Sequence, residues 1–354
     1  MKKAIGLACI LSVLLFSGSV LYLYRFAESP VNTTKVTFDL PRGMSPSEIS
    51  ASLERAGAVR SGRALFWLGK LTGGWMGIKA AEYEIPANVT PSQIFKIIKS
   101  GVGIQHPLLV KEGDNIYQVA EAMEQAGLGT AREDLKILTS QKFITSLGLA
   151  GDGIRSLEGY LFPNTYFYDK KEKPESMIRK MVQAFLHSWT PEVAARAQEF
   201  GMSRKQVVTL ASMIEKETGA SEEREIISSV FHNRLRKKMR LQSDPTTIYG
   251  IWDHYEGKIH KSDLLAPTDY NTYTVSALPI GPISNPHPES VHAALYPATS
   301  DYLYFVSRNN GTHVFSHTYA EHTEWVRKLQ LDPSAREGKS WRDLSKRKEV
   351  KNHG

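Results

Sequence analysis

The chain has 354 residues, 41% hydrophobic and 23% charged, and this ordinary globular composition excludes a mostly disordered chain, a collagen-like chain and a polytopic membrane protein. Its one cysteine, Cys9, excludes an intrachain disulfide and a cysteine-built zinc site. The formal charge of +7 is a weak argument for nucleic acid as a partner, because residues 334–354 alone hold seven Lys/Arg against three acids.

Lys2 and Lys3 precede an uncharged, Leu/Ile/Val-rich run over residues 4–24, which Arg25 closes. About 20 such residues cross a bilayer as a helix. Lysines ahead of the run favour a cytoplasmic N-terminus. The expectation is a single-pass anchor in the cytoplasmic (inner) membrane, with residues 1–3 inside and everything after Arg25 outside. The small-residue cluster Ser17-Gly18-Ser19 admits a cleaved signal peptide instead. The apolar run continues through Val20-Leu21-Tyr22-Leu23, which favours a retained anchor. Cys9 lies too early in the run for a lipoprotein site and reads as a small residue of the spanning helix.

A strand–turn–helix pattern then repeats. Val36 to Leu40 alternates like a strand, Arg42-Gly43 turns, and Ser45-Pro46-Ser47-Glu48 opens a helix with a cap serine, a first-turn proline and a third-position glutamate. Ile49, Leu53 and Ala56 form its apolar face, and Gly57 stops it. A second copy spans residues 83–98, with Asn88 at the turn and Thr90-Pro91-Ser92-Gln93 as the cap. A third spans residues 108–127, with Gly113, Asn115, Val119, Met123 and Gly127 in the same places. Small exported strand–helix modules of this kind resemble LysM domains, which hold glycan chains. The expected fold class is α+β, with a LysM-like subdomain at residues 30–103 and a larger mixed α/β domain at 104–331. Residues 332–354 form a basic tail.

Residues 157–166 are aromatic and turn-rich and include Glu158. Helices are expected at 174–189, 191–200, 203–218 and 222–238. The chain is then rich in loops to Pro297. A hairpin follows, with strands at 302–307 and 313–315 across Asn309-Asn310-Gly311, and a last helix at 318–329.

The 203–218 helix carries the most informative residues. Val207, Leu210, Ala211 and Ile214 make an apolar stripe at helical spacing. Glu215 and Glu217 flank it by about 80° on either side. A carboxyl at the margin of an apolar face is partly desolvated, which raises its pKa and suits it to general acid work. Two solvated residues at a helix end would have the same spacing, so spacing does not choose a function or a residue. Downstream, Gln242, Asp244, Thr246 and Tyr249 lie in one segment, and Asn271 and Tyr273 in another. Such groups hydrogen-bond sugar hydroxyls, and aromatic faces stack on sugar rings. His313, His317 and His322 lack the His-Glu-x-x-His spacing and fall on different elements, so no metal is expected.

Together these residues resemble the YceG-like endolytic murein transglycosylases, the MltG family. The resemblance is carried by residues 157–166, by Leu210-Ala211-Ser212-Met213-Ile214-Glu215-Lys216-Glu217-Thr218, by Asn233-Arg234-Leu235, by residues 241–250, by residues 270–273 and by residues 278–286. It implies a membrane helix, a LysM-like subdomain and a catalytic domain. It also implies Glu217 as the catalytic residue, because lytic transglycosylases place the catalytic glutamate before a serine and Glu217 precedes Thr218; Glu215 is the runner-up. Glu158, Gln242, Asp244, Thr246, Tyr249, Asn271 and Tyr273 are the implied substrate contacts. No cofactor is implied. Newly made peptidoglycan strands are the implied substrate, with peptidoglycan synthases as partners. The competing classes are a non-catalytic glycan-binding anchor and a metal-dependent hydrolase.

Overall fold

The protein's computed structural model describes residues 2–30 and 32–332. From residue 333 onward the basic tail lies outside the described residues. The chain forms two compact units: Met1–Pro107 with Phe167–Glu172, and Leu108–Tyr166 with Lys173–Gly354.

The first unit begins with a helix at Lys2–Glu28. Its segment Ile10–Glu28, 19 residues, is the one helix among those described that is long and apolar enough to cross a membrane. Leu14, Leu15 and Phe16 are exposed, whereas Phe26 and Ala27 are buried in the core of the unit. Strand Val36–Leu40 runs antiparallel to Ala81–Ile85, with Val36 opposite Ile85 and Leu40 opposite Ala81. Phe38, Leu40, Tyr83 and Ile85 point inward onto Ile49, Leu53, Leu65, Ile94 and Ile98. Helices Pro46–Arg55 and Pro91–Ser100 start where their capping boxes place them, at Ser45 with Glu48 and at Thr90 with Gln93. Asn88 takes the left-handed turn conformation, φ 60°.

One helix of this unit, Gly62–Thr72, was not expected. Its two glycines and its exposed Trp67 and Leu71 blur the period that marks a helix. Gly69 is needed there: a Cβ would lie 2.3 Å from Trp75 Nε1.

The third strand–turn–helix copy has the expected elements, His106–Val110 and Ile116–Gln125 with an Asn115 capping box. Its helix belongs to the second unit, so the three copies do not make one module. His106–Val110 pairs with Asn164–Tyr168. The second unit is mainly helical, and the fold as a whole is mixed α/β. At its centre is helix Arg204–Glu217, capped by Ser203 and Gln206. All residues from Val207 to Ile214 are buried, so this helix is enclosed on every side and not along one stripe. Arg224–Arg236 and Pro288–Leu295 pack on it. Hairpin Tyr304–Ser307 with His313–Ser316 is antiparallel, as its Asn-Asn-Gly turn implies, and helix Tyr319–Val326 follows.

Candidate active site

Ser212, inside the central helix, donates its hydroxyl to the Thr209 carbonyl and accepts the Ile283 amide, which fixes the 278–286 loop against the helix. Two turns of buried apolar side chains thus deliver Glu215 and Glu217 at the helix C-terminus into different surroundings.

Glu215 has a side chain 8% exposed. Its Oε2 accepts the His287 amide at 3.0 Å and the Ser290 hydroxyl at 2.6 Å, and Arg224 approaches Oε1 at 3.9 Å. These contacts tie it to the first turn of helix Pro288–Leu295.

Glu217 is half-buried, and burial pushes its pKa up to about 7. The Ser243 hydroxyl donates to Oε1 at 2.5 Å and opposes that rise; the nearby Asp244 charge adds to it, and Arg234 opposes it. A carboxyl with this balance is substantially protonated near neutrality and has a donor ready for its ionised form.

The Ser243 segment is held from several sides. Arg234 is buried and donates to the Leu241 and Leu303 carbonyls at 2.7 and 2.6 Å. The Ser243 amide donates to Thr272 Oγ1 at 2.9 Å. Gln242, exposed, has φ 51°, a left-handed conformation that is strained for a glutamine and is paid for by these neighbours. Asp244 is also exposed, and the Tyr273 hydroxyl donates to its Oδ1 at 2.6 Å.

Other residues expected at the substrate are turned inward. Asn271 is 0% exposed. Its Nδ2 donates to the carbonyls of Asp263, Leu264 and Ala266, and its Oδ1 accepts the Thr247 hydroxyl and the Tyr273 amide. Thr246 is equally buried, donating to the Ser243 carbonyl at 2.6 Å and lying 2.8 Å from Thr272 Oγ1. Both therefore spend their polar atoms on the two loops, a different position from the sugar contacts expected of them.

Glu158 is 1% exposed, and its Oε2 accepts the Ile116 amide at 2.9 Å. Burial pushes its pKa up to about 8. Tyr249 is close to it electrostatically, and Tyr249 stacks edge-on against Tyr270 at 4.6 Å while Tyr117 lies parallel to Trp252 at 5.6 Å. The short helix Asp244–Gly250 thus has Asp244 at the Glu217 end and Tyr249 at the Glu158 end.

The three histidines occupy separate contacts: His313 with Glu223, His317 with Asp301, and His322 against the Tyr304 ring. Among the described residues no three His, Cys, Asp or Glu side chains converge on a metal position. A cavity of about 520 Å³ lies at the opposite end of the central helix, against Lys205, Gln206 and Thr209, away from Glu217. Ser243 was missed by sequence reasoning. It stands between Gln242 and Asp244 in residues 241–250, but nothing in that stretch says which hydroxyl turns to the glutamate.

The YceG-like family profile matches residues 38–328. A Bacillus subtilis (strain 168) protein named endolytic murein transglycosylase is 32% identical over 327 residues, covering 88% of this chain and 90% of its own. A relative of the same name from Streptococcus pneumoniae serotype 2 (strain D39) is 28% identical over 305 residues. That match covers 77% of this chain and 54% of the pneumococcal protein, so this chain spans about half of that relative's length. A crystal structure of a yceG-like protein from Listeria monocytogenes superposes with a TM-score of 0.58 at 33% identity, covering 83% of this chain and 99% of that one. With a family match over most of its length and relatives of this similarity, the chain belongs to the YceG-like family.

Proposed function

We propose that this protein is an endolytic lytic transglycosylase, cleaving the N-acetylmuramic acid–N-acetylglucosamine bond of peptidoglycan strands with Glu217 as its single acid and base. The observation that carries this reading is the division of labour at the end of the central helix. Glu215 is consumed by the cap of a neighbouring helix, whereas Glu217 keeps a desolvated carboxyl with a pKa near 7. The relatives' shared name supplies the reaction class.

A hydrolytic glycosidase uses two carboxylates, one of them to activate water or form a covalent intermediate. Here the muramyl C6 hydroxyl takes that place. Glu217 gives its proton to the bridging oxygen as the C1–O bond breaks. The carboxylate so formed takes the proton of the C6 hydroxyl as that oxygen bonds to C1. The product is a 1,6-anhydromuramyl end, no water is consumed, and the glutamate is protonated again. Ser243 donates to the carboxylate during the interval in which it is charged. Asp244, positioned by Tyr273, stands near enough to Glu217 to stabilise positive charge growing at C1. Gln242 completes the substrate side; Tyr249, which is buried and not a sugar contact, supports it from beneath with Asn271, Thr246 and Glu158.

We assign residues 4–24 to a membrane anchor with the N-terminus inside, residues 30–103 to a LysM-like subdomain and residues 104–331 to catalysis. The strand–helix–helix–strand order from Val36 to Ile85, with its antiparallel pair, supports the LysM-like reading. So does a cavity of about 510 Å³ lined by Arg42, Met44, Trp75 and Lys79, large enough for sugar rings. An anchored enzyme meets new strands at the membrane, which makes peptidoglycan synthases its partners. Mass spectrometry of glycan strands incubated with the detergent-solubilised full chain tests the function. Anhydro ends are expected. Ordinary reducing ends would require a second carboxylate and overturn the mechanism, and intact strands would leave a glycan-binding anchor.

A further inference from the structure

Between the two strand–helix copies of the first unit lies a helix that the repeat does not require, Gly62–Thr72. Its inner face, Ala64, Leu65 and Leu68, is buried in the core of the unit. Its outer face is unusual for a soluble surface. Arg63, Trp67 and Leu71 follow one another at four-residue spacing and so share a side, and all three are exposed. Trp67 is 45% exposed and Leu71 69%. Lys70 lies over the Trp67 ring at 5.0 Å. Just beyond the turn at Gly73, Met76 is 74% exposed.

Along the chain the charge bordering this helix has one sign, and the carboxylate against it, Glu54, lies at its first residue, Gly62, and not on the Trp67 side. From Arg55 to Ala81 the chain holds Arg55, Arg60, Arg63, Lys70 and Lys79, and no Asp or Glu. A helix that exposes Trp and Leu, and whose own charges and those of its connecting segments are all cationic, has the composition of a segment that lies in the interface of an anionic bilayer. Tryptophan suits that depth because its ring is apolar while its N–H reaches water or headgroups.

The position of the helix supplies the partner. The same unit buries Phe26 and Ala27 in its core, and the N-terminal helix packs directly on Gly62–Thr72. The assigned anchor, residues 4–24, extends about 31 Å at 1.5 Å per residue, the thickness of the hydrocarbon layer. If the span is filled, Phe26 stands at its outer edge, and the unit that holds Phe26 is pinned to the bilayer surface.

We propose that the Arg63–Trp67–Lys70–Leu71 face is a second membrane contact, which rests in the anionic headgroup layer beside the spanning helix. This rests on the reading of residues 4–24 as an anchor. Two contacts at separate points restrict rotation of the first unit about the anchor, and so fix the height and facing of its glycan groove above the bilayer.

Spin labelling of the full chain tests this. In a Cys9→Ser background, single cysteines are placed by Leu71→Cys, Met76→Cys, Leu14→Cys and Thr37→Cys, the last on the exposed side of strand Val36–Leu40. The protein is incorporated into nanodiscs of phosphatidylglycerol and phosphatidylcholine. Accessibility of each label to oxygen and to a water-soluble nickel chelate is then compared. The expected result is a label at 14 that is lipid-embedded, labels at 71 and 76 that report interfacial depth, and a label at 37 fully accessible to nickel. Charge reversal by Arg63→Glu with Lys70→Glu should return the label at 71 to nickel accessibility without changing the label at 14. The proposal is overturned if the labels at 71 and 76 match that at 37 while 14 remains embedded. It is likewise overturned if they become protected only when glycan strands are added. A nickel-accessible label at 14 would instead refute the anchor itself.

Discussion

Two glutamates two residues apart stand in different surroundings. The helix supplies only their direction; Ser290 and the His287 amide claim one, and Ser243 claims the other. If Glu217 serves both halves of the reaction as proposed, Glu217→Gln should lose about 10³-fold or more in cleavage, because acid–base assistance alone is worth about 10²–10⁴-fold. Circular dichroism and glycan binding should be unchanged. Glu215→Ala should keep the chemistry but leave a buried amide and hydroxyl unpaired, at about 1–3 kcal/mol of stability. The opposite ranking, with Glu217→Gln active and Glu215→Ala folded yet dead, would sink the assignment. Ser243 gives a sharper test. Its hydroxyl donates to the ionised carboxyl, so Ser243→Ala should raise the Glu217 pKa above about 7 and move the alkaline limb of the rate profile to higher pH. Ser243→Thr should restore the limb. An unmoved profile in an active Ser243→Ala enzyme would show that the hydroxyl does not position the acid. Of this arrangement, the sequence displayed the two carboxylates and their apolar helix. Their partners lie between 26 and 75 positions away in the chain, and no local pattern records that.

The elements that were hardest to read are those whose order comes from distant partners. Asp244–Gly250 contains Pro, two Thr and a terminal Gly, the composition of a turn, and it was expected as loop. It is helical because Thr246 and Thr247 are bonded to Thr272 and Asn271. Pro288–Leu295 was hidden in the same way, since its first turn is completed by Glu215. By contrast, the helices with local capping boxes at Ser45, Thr90, Asn115 and Ser203 were legible at once, because cap and partner are three residues apart. Two substitutions separate support from chemistry here. Asn271→Ala removes a buried amide with five hydrogen bonds and should cost about 2–4 kcal/mol, lowering Tm by several degrees, with activity lost only as far as folding is lost. Asp244→Ala, at an exposed carboxylate, should leave Tm within a few degrees and lower kcat by about tenfold or more. If calorimetry and kinetics gave the reverse pairing, Asn271 would be a substrate contact after all.

At the scale of the molecule, buried carboxyls make stability depend on pH in a direction opposite to the usual one. Burial pushes Glu217 up to about 7 and Glu158 up to about 8, against ordinary glutamate values near 4.5. The folded protein therefore holds these protons at pH values where the unfolded chain has released them. For each group the stability is fully present below the unfolded pKa and is lost as pH rises through the folded one. His232 and His322 oppose this lower down, because burial depresses their pKa and the fold favours their neutral forms. Their contribution is complete once pH exceeds the ordinary histidine value of 6.5. Between about pH 6.5 and 8 the two glutamates are left to dominate. Each retained proton is worth about 1.4 kcal/mol per pH unit, so unfolding free energy should fall by a few kcal/mol across that interval. Glu158→Gln keeps an oxygen for the Ile116 amide and removes the titration, so it should flatten the decline and be more stable than the parent at pH 8. Denaturant melts of both proteins at pH 6.5, 7.25 and 8 decide it. A parent whose stability rises with pH across this interval, or a variant with the parent's slope, would mean that Glu158 is already ionised in the fold, and its buried place beside Tyr249 would then need a cation to balance it.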